Sequence, residues 1–256
     1  MSDEHLVFKI ENKTGYVTIN REARKNSLSP EAVSLFHKHI DEARDNPDIR
    51  VFCITGAGNS AFCTGAELGD GLTDASRDQF RSYADLLKKI YTYPKPTVAR
   101  VNGYCLAGGM GLMLACDVVI ASDTAKFGTP EVNVGLWPMM IGALIFRNTL
   151  RKKAMEMILL GERLSAAEAL AMGLITRIAP PDALDEAVSA VISQLSSKSP
   201  IGIQIGKEAF HCMARMQFEE ALDYLSEKFA EVAKTDDARE GITAFLQKRP
   251  PIFKGQ

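Results

Sequence analysis

Thr97-Val98-Ala99-Arg100-Val101-Asn102-Gly103-Tyr104-Cys105-Leu106-Ala107-Gly108-Gly109-Met110-Gly111 decides the fold. Thr97 to Val101 is short, apolar and rich in β-branched residues, so it reads as a strand, and Asn102-Gly103 is its turn. Beyond the glycines, Met110 to Cys116 is apolar throughout and reads as a short buried helix. A strand that feeds a helix through glycines is the unit of an α/β layer architecture. The same pattern stands upstream. Val51 to Thr55 reads as a strand, followed by Gly56-Ala57-Gly58-Asn59 and a first glycine turn, Phe62-Cys63-Thr64-Gly65-Ala66-Glu67-Leu68.

Working outward, Leu6 to Ile10 and Tyr16 to Ile19 alternate as a hairpin around Asn12-Lys13-Thr14-Gly15. Ser29-Pro30 opens a helix as N-cap and first helical residue, with Val33, Phe36, Ile40 and Ala43 as its apolar stripe. Residues 69–78 are polar and rich in turn formers, and a mobile loop is expected there. A helix with Phe80, Tyr83, Leu87 and Ile90 on one face follows. Val118 to Ala121 and Leu174 to Ile178 read as further strands. Ser165-Ala166-Ala167-Glu168 is a capping box, and Gly173 sits where that helix stops. Helices are expected near 182–197, 199–214, 218–233 and 236–247. The chain therefore divides into a βα core over 1–195 and a helical region over 196–256.

Composition narrows the function. The chain has 256 residues, 46% hydrophobic and 24% charged, with a formal charge of −2. That balance argues against a broad basic surface for nucleic acid. No apolar run has the length of roughly 20 residues that a membrane span needs. Cys53, Cys63, Cys105, Cys116 and Cys212 are odd in number and form no Cys-x-x-Cys pair, which fits reduced thiols in a cytoplasmic protein. Cys63 and Cys105 flank the glycine turns without a histidine near them in sequence, so buried structural thiols are favoured over nucleophiles. His37 and His39 are two apart on a helix and cannot share a face as metal ligands; a surface position is expected. P-loop, dinucleotide and nucleophile-elbow motifs are absent, and no metal-ligand spacing occurs.

The two glycine turns can each aim a backbone N–H at a common point, and two such donors make an oxyanion hole. Gly108 and Gly109 stand at a helix start, where N–H groups lack intrahelical partners and the dipole favours negative charge. Two readings of these glycines stand side by side: an anion site, or simple tight helix packing. Glu131, in Phe127-Gly128-Thr129-Pro130-Glu131, precedes an apolar stretch that includes Leu136, Trp137 and Pro138. Burial there would shift its pKa toward the range useful for proton transfer; an exposed or salt-bridged glutamate is the alternative.

These segments resemble the crotonase superfamily, the enoyl-CoA hydratase/isomerase group. The resemblance runs through nearly the whole chain and includes Lys95 to Tyr104, Ala107-Gly108-Gly109, Cys116-Asp117, Phe127 to Glu131 and Glu240 to Pro250. It implies a spiral of ββα units with a C-terminal helical trimerisation module, and an acyl-CoA substrate in place of a separate cofactor. The backbone N–H groups of Ala66 and Gly108 then fall on the oxyanion positions, with Glu131 as acid/base. Arg24, Lys25 and Thr64 match the part that holds coenzyme A, Gly111 and Trp137 are assigned to substrate binding, and Lys248 matches a lysine reaching a neighbouring subunit's CoA. Homotrimers or hexamers built as dimers of trimers are implied, with no nucleic acid, metal or membrane involved.

One departure matters. Typical hydratases carry two glutamates, at the positions of Gly111 and Glu131, and Gly111 has no side chain. A single base can instead shift a double bond from β,γ to α,β, so Δ3,Δ2-enoyl-CoA isomerisation is the expected reaction, with a hydratase or related lyase as the alternative. A non-catalytic acyl-CoA-binding or assembly protein is the reading from another class. Glu67, where aspartate is frequent, is expected to leave the mechanism unchanged. A carboxylate placed at 111 is expected to restore the second acid.

Overall fold

The computed structural model describes residues 4–67 and 77–256. At the N-terminus β1 (Leu6–Glu11) and β2 (Thr14–Ile19) pair antiparallel, with Leu6 opposite Ile19. The turn is tighter than the sequence suggests: Asn12 and Lys13 alone form it, with φ of 46° and 64°. Positive φ at both central residues matches the right-handed twist of the flanking strands. Helix α1 (Pro30–Asp45) follows, and the Ser29 side chain accepts from the Ala32 N–H at 3.1 Å. Its buried stripe of Ala32, Val33, Phe36, Ile40 and Ala43 joins the main core.

Three strand pairs then follow in succession. They are β3 (Val51–Gly56) with β4 (Ala61–Cys63), β5 (Thr97–Val101) with β6 (Tyr104–Leu106), and β7 (Val118–Ser122) with β8 (Lys126–Gly128). Helix α2 (Arg77–Tyr91) lies between the first and second pairs, and α3 (Gly108–Leu114) between the second and third. With two later strands, β9 (Leu164–Ser165) and β10 (Arg177–Ala179), the first strand of every pair enters a six-stranded sheet ordered β1-β2-β3-β5-β7-β10, and the second enters a four-stranded sheet ordered β4-β6-β8-β9. Repetition of this step winds the chain into a two-sheet spiral. Strands β3, β5 and β7 are mutually parallel, as are β4, β6 and β8. The small-sheet strands have three residues each, too few for alternation to reveal them in sequence.

Asn102 holds the corner between the sheets. Its Nδ2 lies 3.0 Å from the Gly56 carbonyl and 2.6 Å from that of Gly58. Asn26 Nδ2 donates to the Ala57 and Ala61 carbonyls at 2.9 and 2.7 Å. Corner carbonyls that leave one sheet before joining the other thus keep donors inside the protein.

Helices α4 (Met139–Asn148), α5 (Arg151–Leu160) and α6 (Ala166–Ala171) come next, with β9 (Leu164–Ser165) antiparallel to β8. The Ser165–Glu168 capping box is present in both directions. The last strand, β10 (Arg177–Ala179), begins later than the expected Leu174. Thr176 accounts for the shift, because its hydroxyl accepts from the Val119 N–H at 3.0 Å and donates to the Val119 carbonyl at 2.6 Å. Leu174 and Ile175 instead plug the core. The loop expected over 69–78 lies outside the described residues from 69 to 76, while Arg77 and Asp78 already belong to α2. Among the described residues no helix is long and apolar enough to cross a membrane.

Helix α7 (Leu184–Ser196) packs Leu184, Val188, Val191 and Ile192 against Val51, Cys53, Val98 and Ile120 of the large sheet. Then come α8 (Pro200–Met213), α9 (Phe218–Ala233) and α10 (Asp236–Leu246), and α9 buries none of its residues. Lys207 on α8 pairs with Asp117, whose carboxylate also accepts from the Thr97 N–H at 2.8 Å. The C-terminal tail is held by Asp237, which is 2% exposed. Its carboxylate accepts from the N–H of Lys254 at 2.7 Å, the N–H of Gly255 at 3.0 Å and the Ser199 hydroxyl at 2.8 Å. Asp237→Ala strands those donors and is expected to lower stability by about 1–3 kcal/mol. A urea titration reads this as a drop in midpoint at unchanged slope; an unaltered midpoint would show that the tail contributes nothing.

Candidate active site

The site begins where β4 and β6 end side by side in the small sheet. Gly65 has φ +99°, and a Cβ there would lie 2.8 Å from the Ala107 Cβ and 3.1 Å from the Gly108 nitrogen. Glycine is required at 65 twice over, by backbone conformation and by lack of room. Gly109 is equally constrained, because a Cβ on it would overlap the Cys63 carbonyl. The two turns therefore touch backbone to backbone. Packing accounts for Gly109, whereas Gly108 has room for a Cβ, 3.4 Å from its nearest neighbours, and stands at the helix start.

Ala107 joins β6 to α3 with φ 49° and ψ −127°, outside the regions an L residue favours. Strain of this kind typically costs about 1–3 kcal/mol and persists where neighbours over-determine the backbone. Here the Ala107 N–H donates to the Gly128 carbonyl at 3.0 Å and the Ala107 carbonyl accepts from Met110 at 2.9 Å. The kinked backbone starts α3 at Gly108, whose N–H is left without an intrahelical acceptor. On the other turn, Leu28 accepts from the Glu67 N–H at 2.9 Å and donates to the Gly65 carbonyl at 2.7 Å. Ala66, between those bonds, is fixed in place while its own N–H bonds to no atom among the described residues. Two uncommitted backbone donors thus sit on turns in contact.

Glu131 stands on a tight turn over Pro130–Val134, opened by Pro130 and closed by Gly135 at φ 76°. The Leu136 N–H bonds back to the Glu131 carbonyl at 2.9 Å. The carboxylate is half-buried, and its Oε2 is fully covered without a hydrogen-bond partner. No cation among the described residues lies within salt-bridge reach of it. Burial raises its pKa above the usual carboxylate range, and a bond to its own backbone N–H opposes the shift. Of the alternatives open at the level of sequence, the exposed and the salt-bridged glutamate are both excluded.

Gly111 holds the largest surprise. A Cβ added there would run into the Tyr83 hydroxyl and lie 2.5 Å from Ile141 Cγ2 and 3.3 Å from Leu87 Cδ1. The space is already taken, so a carboxylate at 111 has no room to restore a second acid. Tyr83 itself donates a short hydrogen bond to the Gly108 carbonyl. Burial, the nearby Cys63 and Cys105 thiols and the Glu131 carboxylate hold its phenol well above the usual tyrosine range. Sequence reading placed Tyr83 on a core face and missed this role, because nothing local links position 83 to 108 or 111.

Arg24, Lys25 and Thr64 are brought together: the Thr64 hydroxyl donates to the Lys25 carbonyl at 3.2 Å. Arg24 Nε is 3.9 Å from Glu67 Oε1. A residue missed in sequence, Arg21, ties this segment down. Its Nη2 lies 2.6 Å from Glu67 Oε2 and its Nη1 2.6 Å from the Ser27 carbonyl, with the side chain 9% exposed. Glu67 is thus a structural anchor beside Ala66. Trp137 is exposed between the Glu131 turn and α4. Lys248 lies beyond the end of α10 with φ 54° and makes no hydrogen bond or ion pair to the other site residues of its own chain. The Cys63 thiol is pushed up to about 12 by burial and Cys105 well above its usual value, so neither supplies a thiolate. His37 and His39 are half-buried, not on the surface, with His37 Nε2 3.0 Å from the Ser82 carbonyl and His39 stacked on Phe8. A cavity of about 290 Å³ lined by Arg44, Arg50, Lys95, Lys198 and Lys254 lies where β3 and β5 begin. The glycine turns follow the opposite strand ends, so that cavity is not part of this site.

A family model for enoyl-CoA hydratase/isomerase matches residues 9–256. The chain belongs to that family. It is 33% identical to the (E)-benzylidenesuccinyl-CoA hydratase of Thauera aromatica, over 98% of this chain and 99% of that one. It is 32% identical to the 2,3-dehydroadipyl-CoA hydratase of Escherichia coli K12, over 98% and 99% respectively. Among solved structures, the enoyl-CoA hydratase of Mycobacterium smegmatis superposes with a TM-score of 0.92 at 30% identity, covering 97% of this chain and 98% of that one. The two-sheet spiral with C-terminal helices is therefore the crotonase fold. For this family member the occupied space at position 111 has a direct consequence. Gly111→Ala overpacks Tyr83 and Ile141 and is expected to lose about 1–3 kcal/mol of stability. A calorimetric melting scan checks it, and an unchanged melting temperature would mean that the Tyr83 hydroxyl moves aside freely.

Proposed function

We propose that this protein transforms an acyl-CoA thioester through an enolate. The Ala66 and Gly108 N–H groups bind the thioester oxygen and Glu131 moves the proton. The observation that carries the reading is the covered, unpartnered Oε2 of Glu131, together with two uncommitted donors on touching turns. A buried carboxylate with a raised pKa is a stronger base than an exposed one, and preorganised donors are typically worth about 2.7–4 kcal/mol each at a developing oxyanion.

Hydration of a 2-enoyl-CoA stands first, because the relatives quoted above carry hydratase names. Glu131 takes a proton from water as the oxygen bonds to C3, and the C2=C3 π electrons move through the carbonyl to the thioester oxygen. The enolate then collapses as protonated Glu131 returns the proton to C2. Isomerisation, which the missing carboxylate at Gly111 put first at the level of sequence, is the second reading. There Glu131 removes a C2 proton from a 3-enoyl-CoA and returns it at C4. Uncommitted donors and a carboxylate with one covered, unpartnered oxygen argue against a purely binding role.

The CoA moiety is assigned to Arg24, Lys25 and Thr64, and the acyl end to the exposed Trp137 side, with the buried Gly111 behind Tyr83 in contact with it only through that side chain. Lys248 is assigned to a neighbouring subunit's CoA, with residues 196–256 as the assembly region. Support for assembly comes from apolar side chains left in solvent. Phe218, Phe229 and Phe245 are 73%, 75% and 82% exposed. Each forgoes about 1.5–3 kcal/mol of burial in an isolated chain. A trimer or hexamer covering these helices is proposed, in the cytoplasm, where the five free thiols stay reduced.

Crotonyl-CoA hydration and the double-bond shift of a 3-enoyl-CoA, followed by absorbance, separate the two reactions. Glu131→Gln is expected to lower kcat by roughly 10²–10⁴-fold while CoA-ester affinity stays within a few-fold. Since the working form is the carboxylate and burial raises its pKa, kcat/KM rises with pH along a limb above the ordinary glutamate range. The limb disappears in the variant. Turnover within a few-fold of the parent would remove Glu131 from the mechanism.

A further inference from the structure

We propose that the Tyr83 hydroxyl holds the attacking water against C3 of a 2-enoyl thioester, replacing the side chain that position 111 lacks. The proposal rests on the hydratase reading above. Its ground is positional: the phenol oxygen lies where a side chain on Gly111 would begin, and Ile141 and Leu87 close the rest of that space. The ring is carried on α2, one turn before Leu87, and packs against the main core, so the hydroxyl cannot swing away without disturbing it.

The hydrogen-bond accounting defines what this hydroxyl can do. Its single proton is given to the Gly108 carbonyl. The oxygen lone pairs remain to accept, and the Glu131 carboxylate, one oxygen of which is covered and unpartnered, is near enough to act electrostatically on the phenol. A water between them would give one proton to Tyr83 as a hydrogen bond and the other to Glu131 as a transferred proton. The phenol stays neutral throughout, since its pKa is held well above the usual value. Tyr83 is therefore a holder of the nucleophile and not a second base. Bonds still balance: the water oxygen joins C3, its transferred proton passes by way of Glu131 to C2, and the second proton remains on the new hydroxyl.

The same phenol steadies the Gly108 carbonyl, one atom group away from the proposed oxyanion N–H, so loss of the hydroxyl could act through the turn instead. Two assays on the same protein separate the roles. Hydration of crotonyl-CoA needs the water at C3, whereas exchange of the C2 protons of butyryl-CoA into deuterium oxide needs Glu131 and the oxyanion donors alone. Tyr83→Phe keeps the ring and removes one oxygen atom. It is expected to lose at least tenfold in hydration kcat with C2 exchange within threefold of the parent, and the retained exchange is itself the control for folding. Hydration within twofold of the parent would overturn the proposal, and so would a parallel loss of both reactions. A parent enzyme that exchanges C2 protons without hydrating crotonyl-CoA would instead remove the hydratase reading on which the proposal rests.

Discussion

The close approach of Gly65 to Ala107 and Gly108 is the constraint on which the rest of the site depends. A side chain at Gly65 does not fit between those turns, which follow neighbouring strands of the small sheet. Because β4 and β6 are parallel neighbours, their C-terminal ends arrive together, and the chain leaves each through a turn that frees one N–H. Strain at Ala107 is tolerated because β8 holds its N–H and α3 holds its carbonyl. The two N–H groups are therefore held fixed by the fold itself; in the proposed mechanism such preorganised donors have their value at a developing charge.

Electrostatically the site has one carboxylate, Glu131, with a glycine at position 111. A pair of close carboxylates raises the pKa of one of them by mutual repulsion. In this chain the rise at Glu131 comes from burial, and the neighbouring polar group is an uncharged phenol. Tyr83 thus fills the volume of the missing side chain without adding charge. The Arg21–Glu67 pair lies beside the other turn, where a nearly buried guanidinium holds the residue that follows Ala66.

The C-terminal helices obey a different logic. α7 is built into the spiral through its contact with the large sheet, whereas no residue of α9 is fully buried within the chain. Amphipathic helices gain most of their stability from covering an apolar face. Their order here rests on neighbouring helices, on the Lys207–Asp117 pair and on the tail tied by Asp237.

Much of this was legible along the chain. Ser29-Pro30, Ser199-Pro200 and the Ser165–Glu168 box marked helix starts because capping is a contact between residues a few positions apart. The glycine turns and Glu131 stood out for the same local reason, as did the hairpin and the apolar stripes. The short strands β4, β6 and β8 did not, because three residues carry no period and their pairing partners are remote. Nor did Tyr83 or Arg21, whose importance lies in what they touch across the fold. Sequence by itself determined most of the longer elements and their order, and the residue types at the two turns and at 131, since propensity, capping and turn geometry act over a few bonds. Tertiary structure alone decided that Gly109 packs while the Gly108 N–H stays uncommitted, that one Glu131 oxygen is covered without a partner, and that a phenol occupies the space at Gly111. Those outcomes depend on close packing between segments far apart in the chain, where a single Cβ is enough to change which arrangement fits.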